Sequence, residues 1–165
     1  MPSGNNNQRE GFSSNSVAGT EFEEMAFEYF KVNEKIILDK KFEISLGVEF
    51  KKKHKFDLGN KNNKILVECK SHTWTKGENT PSAKISVWNE AMFYFNLAPK
   101  EYKKIFFVLS DFCKKKSKTL LQYYIENYYH FISKDILFYE YFQDDGHCEI
   151  YNFNKIENII KNIRT

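Results

Sequence analysis

The sequence predicts an α/β fold, a central mixed β-sheet with helices on its faces. Three observations carry this. Residues 65–69 and 104–109 contain short, nearly continuous apolar runs, the pattern of strands buried on both faces. Between them, residues 82–97 repeat apolar side chains at helical spacing. A long helical connection of that kind suits a crossover between parallel strands.

Taken in order, residues 1–18 are rich in Asn, Ser and Gly and lack apolar periodicity, so a flexible N-terminal segment is expected. The remainder, 19–165, is read as a single domain. Gly19-Thr20 is expected to open the first helix. Phe22, Met25, Ala26, Tyr29 and Phe30 then form one apolar stripe. Glu21, Glu24, Glu28 and Lys31 cluster on the opposite side. Glu23 turns toward the apolar arc, where an unsatisfied carboxylate is costly. Two roles compete for it: the return partner of a Thr20-x-x-Glu23 capping box, or a group aimed at a site in the sheet.

Residues 35–39 read as a first strand. Ile44, Leu46, Val48 and Phe50 alternate with polar residues, the period of a half-buried strand. Residues 55–70 then read as two strands closing over Gly59 to Asn63. After a polar loop, residues 82–97 form a second helix on Ile85, Trp88, Ala91, Met92 and Phe95, stopped by Ala98-Pro99. Residues 104–111 give a buried strand and 116–132 a third helix. Residues 136–142 and 148–153 give two late strands around Asp144-Asp145-Gly146. An amphipathic tail helix carries Ile156, Ile159, Ile160 and Ile163.

Composition bounds the function. With 16 Phe and 10 Tyr but only 7 Gly and 3 Pro in 165 residues, the chain has the means to build a core. A formal net charge of +3 excludes a polybasic tail-like binder, so local lysine clusters matter more: Lys51-Lys52-Lys53 with Lys55, and Lys114-Lys115-Lys116 with Lys118. The three cysteines, Cys69, Cys113 and Cys148, form no CxxC and no zinc spacing with histidine. They are expected to be reduced, hence a cytoplasmic protein. No membrane-length apolar run and no nucleotide-binding loop is evident.

The chemistry concentrates at Asp57, Glu68 and Lys70. Side chains two apart on a strand share a face, so Glu68 and Lys70 stand side by side. A closed hairpin brings Asp57 to them. Two carboxylates and a lysine are a donor set for a hard divalent cation beside a phosphodiester. Charged residues on a strand otherwise made of Ile65, Leu66 and Val67 need such a reason. In the following loop and helix, His72, Trp74, Lys84 and Asn89 are candidate nucleic-acid contacts, Trp74 through base stacking unless it packs on the second helix.

Asp57, ten intervening residues and then Glu68-Cys69-Lys70 resembles the motif of the PD-(D/E)XK nuclease superfamily. The stretch GTEFEEMAFEYF (19–30) is similar to the first helix of its Mrr-like and resolvase-like members. The likeness covers roughly residues 19–111, and Phe56 stands where the motif's name has proline. The resemblance implies a restriction-endonuclease-like αβββαβ core and Mg2+-dependent endonucleolytic hydrolysis of DNA, of the restriction or the repair and recombination kind, with Mn2+ as substitute. It implies catalytic roles for Asp57, Glu68, Lys70 and Glu23, with Asp57, Glu68 and the Cys69 backbone carbonyl as metal ligands. Lys70 would orient the attacking water and stabilise growing phosphorane charge. Cutting both strands would require two sites, hence a homodimer. The competing reading is a non-catalytic nucleic-acid-binding or assembly subunit on the same fold.

Overall fold

Six strands form one mixed sheet in the order β1-β2-β3-β4-β7-β8 in the computed structural model, which describes residues 15–164. The strands are β1 (Asp39–Leu46), β2 (Lys52–Asn60), β3 (Ile65–Lys70), β4 (Lys103–Leu109), β7 (Ile136–Tyr141) and β8 (Cys148–Tyr151). A two-residue pair, β5 (Phe112–Cys113) and β6 (Lys118–Thr119), lies apart from the sheet. The helices are α1 (Asn15–Tyr29), α2 (Ser82–Leu97), α3 (Leu120–Tyr128) and α4 (Phe153–Arg164). Strands β3, β4 and β7 are parallel to one another, linked by α2 and α3. The other pairings in the sheet are antiparallel.

Alternating side chains along the central strands build two apolar layers. On one face, Phe22 and Ala26 of α1, with Phe30 just after it, meet Val67, Ile105 and Phe107. On the other, Trp88 and Phe95 of α2, Tyr124 of α3 and Ile156 of α4 meet Leu66, Phe106 and Phe138. Burial of each such large side chain stabilises by about 1.5–3 kcal/mol. β3, expected to be central, is buried along Ile65–Cys69. The five residues expected on the core stripe of α2 are all buried.

Several boundaries differ from the sequence reading. Helix α1 starts at Asn15, so Gly19 and Thr20 lie inside it. Thr20 is then a helical residue and not an N-cap, and Thr20-x-x-Glu23 is not a capping box. Of the N-terminal segment expected to be flexible, residues 15–18 belong to α1 and residues 1–14 lie outside the described residues.

Residues 35–38 are not a strand. α1 passes into one π-helical turn, Phe30–Glu34, which Lys35 closes in the left-handed conformation with φ 58°. Of the following apolar trio only Leu38 is buried, at 2% exposure, while Ile37 is 67% exposed. The strand pattern of 44–50 also breaks early. At Gly47 a Cβ would stand 2.0 Å from the Phe50 carbonyl oxygen, so only glycine allows this tight reversal. Val48 and Phe50 sit in the reversal, 81% and 90% exposed. Finally, α3 begins at Leu120 rather than near Lys116. Thr119 and Gln122 form a capping box there, and residues 114–117 turn between β5 and β6. Cys69, Cys113 and Cys148 are all free thiols, and no helix among the described residues is long and apolar enough to cross a membrane.

Candidate active site

The site lies where β2 and β3 part. Their antiparallel register runs through Asn60↔Ile65, Gly59↔Leu66 and Leu58↔Val67. It is closed by the turn at residues 61–64, where Asn63 N–H donates to Asn60 Oδ1 at 2.8 Å. Beyond Leu58–Val67 the ladder stops. The N–H of Cys69 donates instead to Asp57 Oδ2 at 2.7 Å, so a carboxylate replaces the missing strand carbonyl.

The backbone of β2 is irregular at that point. Phe56 is buried in the layer under α2, while Leu58, two residues on, is buried in the layer under α1. A regular strand would put both on one face. Opposite Asp57, Lys41 adopts φ 53° and the Lys41–Asp57 pair is absent from the β1–β2 register. This local twist is what lets Asp57 lean into the gap. Gly59 is required just beyond it, since a Cβ there would meet the Phe42 ring at 2.4 Å.

Glu68 and Lys70 share a face of β3, as their spacing dictates. Lys70 Nζ donates to Glu68 Oε2 at 2.9 Å and stands 4.0 Å from Asp57 Oδ2. The side chains of Asp57, Lys70 and Glu68 are 24%, 16% and 8% exposed, so the cluster is sunken but reachable. Burial pushes the Asp57 carboxyl up to about 7, and the neighbouring Glu68 charge adds to this against the pull of Lys70 and the Cys69 N–H. Burial acts on Glu68 as well, but His54 and Lys70 outweigh it and hold that carboxyl below its ordinary value. Desolvation works against the charge on Lys70, yet the two carboxylates hold its pKa above the ordinary value.

Glu23 projects from α1, half-buried, toward the same cluster. Burial raises its pKa, with Lys70 pulling it down and Glu68 pushing it up. The other acids of α1 face outward: Glu24 pairs with Lys40, and Glu28 with Lys31 at 3.4 Å.

The remaining candidates separate. His72 Nδ1 accepts from Trp88 Nε1 at 2.8 Å, which fixes the ring against α2. Trp74 is buried, edge-on to Tyr123 of α3 at 5.3 Å between centroids. Both its N–H groups go to Asp111, at 2.7 and 3.0 Å. It is therefore a core residue and not a stacking platform. Asn89 Oδ1 accepts from Tyr124 O–H at 3.0 Å, a bond between α2 and α3. Lys84 is exposed on α2.

Sequence reasoning missed His54. On β2 it points toward the face of Glu68, its Nε2 3.6 Å from Glu68 Oε1, and its ring stacks on Tyr94 at 3.7 Å. Period-two alternation with Phe56 gives only its face of β2 and not its contact with Glu68, and the surrounding lysines disguise even that. A second buried carboxylate, Glu140, accepts from Tyr151 O–H at 3.0 Å and Ser110 O–H at 3.2 Å. It fastens β7 to β8 and to the end of β4.

Among the described residues, no three His, Cys, Asp or Glu side chains form a ready-made metal cage. What the site offers is two carboxylates at a strand divergence with one ammonium beside them. No family model, no curated protein and no solved structure matches this chain.

Proposed function

We propose that this chain is a metal-dependent deoxyribonuclease built on a restriction-endonuclease-like core. The observation that carries the reading is the convergence of Asp57, Glu68 and Lys70 where β2 and β3 part. The element order α1-β1-β2-β3-α2-β4 is the αβββαβ order of that core.

The residues fit a hard cation. Asp57 and Glu68 supply oxygen donors, and the Cys69 carbonyl directly follows Glu68 in sequence. The Cys69 thiol is no competitor, because burial holds its pKa well above the ordinary value. Burial first, and the Glu68 charge second, raise the Asp57 carboxyl, and a cation bound there would favour its ionised form. Two side-chain donors rather than a cage suit Mg2+, which keeps water ligands and shares its sphere with phosphate. When bound there, Mg2+ or Mn2+ would polarise the scissile phosphate and acidify a bound water.

The chain's own groups do the rest. Lys70 stays protonated, so it serves as a fixed positive charge for the phosphate oxygens and not as a base. Its bond to Glu68 and the contact of Glu68 with His54 hold that carboxylate in one orientation. Glu23 completes the carboxylate set from the α1 side. Lys52, Lys53 and Lys55 precede Asp57 on the same strand, with Lys51 just before it, which favours a polyanionic substrate.

The test is incubation of the purified protein with supercoiled and linear DNA, and with RNA, in Mg2+, Mn2+ or EDTA. Expected is metal-dependent DNA nicking or cleavage, lost in Glu68→Gln. Absence of cleavage of either nucleic acid with both metals, together with no calorimetric metal binding, would sink the proposal.

A further inference from the structure

The β1–β2 hairpin carries a feature that folding does not explain. Leu46 at its root is buried, yet Val48 and Phe50 in the reversal are 81% and 90% exposed. The reversal is tight, held by the close approach at Gly47, so the Phe50 ring is displayed on a short, defined turn. A large apolar side chain left in water gains nothing for the fold. Residues 47–55 also hold four lysines against one glutamate. Of these, Lys53 pairs with Glu43 at 2.9 Å, and Lys51 and Lys52 are exposed next to Phe50.

The hairpin is aligned with the site. β2 runs from Lys52 at the foot of the reversal to Asp57, about 17 Å of extended strand. That is about five base pairs of duplex at about 3.4 Å each. A groove of about 380 Å3 between the hairpin and α2 is lined by Leu46, Lys52, His54, Lys55, Tyr94 and Leu97. Its His54 end is the residue that contacts Glu68.

We propose that this hairpin is a duplex-DNA arm: Phe50 inserts as an apolar wedge at a base step, and Lys51 and Lys52 hold the flanking phosphates. An apolar side chain on a tight turn, followed directly by two lysines, is the chemistry that unstacks a step while the backbone beside it is neutralised. The inference rests on the nuclease reading, since the arm's use is to fix the distance between a gripped step and the phosphate at Asp57. A lipid surface would also accept a phenylalanine followed by lysines, but it has no use for a strand that leads into a buried carboxylate pair.

The test measures binding of the full chain to a 30-base-pair duplex by fluorescence anisotropy in EDTA, over a salt series. Phe50→Ser is expected to weaken binding about five- to twentyfold with an unchanged salt slope. Lys51→Ser with Lys52→Ser is expected to reduce the slope of log K against log[salt] by about 1.8. Because these side chains are exposed, the melting temperatures should match wild type. In Phe50→Trp, duplex addition should quench the new indole emission, since Trp74 and Trp88 are buried. If the serine variants bind and cleave as wild type does while Glu68→Gln still abolishes cleavage, the arm is wrong and the nuclease reading stands. If wild type neither binds duplex nor cleaves with any metal, both fall together. Phe50-dependent capture by phosphatidylserine vesicles, with no Phe50 dependence on duplex, also overturns the arm.

Discussion

His54 Nε2 stands 3.6 Å from Glu68 Oε1, just beyond hydrogen-bond reach, and is buried with no hydrogen-bond partner of its own. A buried polar atom left in that state costs free energy unless a neighbour supplies electrostatic compensation. Here the neighbour is a carboxylate that Lys70 holds from its other oxygen. The ring cannot swing away easily, since it is stacked on Tyr94 and edge-on to Phe56. His54 is thus a positioning residue for Glu68. His54→Phe keeps the stack and removes the polar contact. It should lower the rate of Mg2+-dependent cleavage by about tenfold, the scale of losses seen when a partner of a metal ligand is removed. His54→Gln should recover part of that loss. A variant series in which activity follows melting temperature alone would assign His54 to packing only.

Asp57 makes stability depend on pH in a direction opposite to that of an ordinary salt-bridged carboxylate. Its folded pKa of about 7 lies above the unfolded reference of 3.8. Its contribution is therefore fully present below about pH 4 and is lost as pH rises through about 7. Asp57→Asn keeps an oxygen to accept from Cys69 N–H and removes the charge. The stability of wild type relative to Asp57→Asn should fall by about 1–3 kcal/mol between pH 4 and pH 8. Chemical denaturation at both pH values measures this. Metal affinity should show the matching trend. Mn2+ has to displace the proton, so its apparent affinity should weaken as pH drops below about 7.

The parts of this fold that were legible in the sequence are those with a strong period or a long apolar run. β3 and α2 were readable because burial on both faces, or on one helical stripe, leaves its pattern in the residues themselves. Where local patterns competed with tertiary placement, the sequence misled. Thr20-x-x-Glu23 has the residues of a capping box, but α1 extends beyond it to Asn15. Ile36-Ile37-Leu38 has strand-like composition, yet Lys35 in a left-handed conformation ends the helical turn and only Leu38 reaches the core. Val48 and Phe50 continued an apolar alternation past the point where Gly47 reverses the chain. The site triad Asp57, Glu68 and Lys70 was visible from spacing. His54 was not, because its role depends on the parting of β2 from β3, which no local pattern encodes.

Lys70 balances the two carboxylates before any metal arrives. Removing it leaves Glu68 and Asp57 without their shared cation in a sunken site. Lys70→Met should destabilise the metal-free protein by about 2–4 kcal/mol at pH 8, a little under the loss typical of fully buried pairs. The deficit should shrink at pH 5, where Asp57 is already protonated and Glu68, freed of the lysine, takes up a proton more readily. Mg2+ should restore stability without restoring cleavage, since on the proposed reading a cation can replace the charge but not the ammonium's contact with the phosphate. Full recovery of activity in Mg2+ would remove Lys70 from the chemistry.

Glu23 is the conditional member of the set, and its placement inside α1 takes away its alternative role as the partner of an N-cap. Its half-buried carboxyl is raised by burial and pulled down by Lys70, so it already senses the cluster across the α1–β3 interface. A group serving only the fold would be best neutral there, and Glu23→Gln would then leave cleavage intact while slightly raising stability above neutral pH. A group serving the site has to bring charge. On that basis Glu23→Gln should reduce cleavage by about ten- to a hundredfold, by analogy with removal of a metal-site partner. Melting temperature should change little or rise. Glu24→Gln, one position along and paired with Lys40 on the outer face, should cleave as wild type does. The measurement is single-turnover cleavage of one labelled duplex by all three proteins. If Glu23→Gln and Glu24→Gln give the same rate as wild type, the α1 face contributes nothing to the reaction, and the site works with Asp57, Glu68 and Lys70 alone.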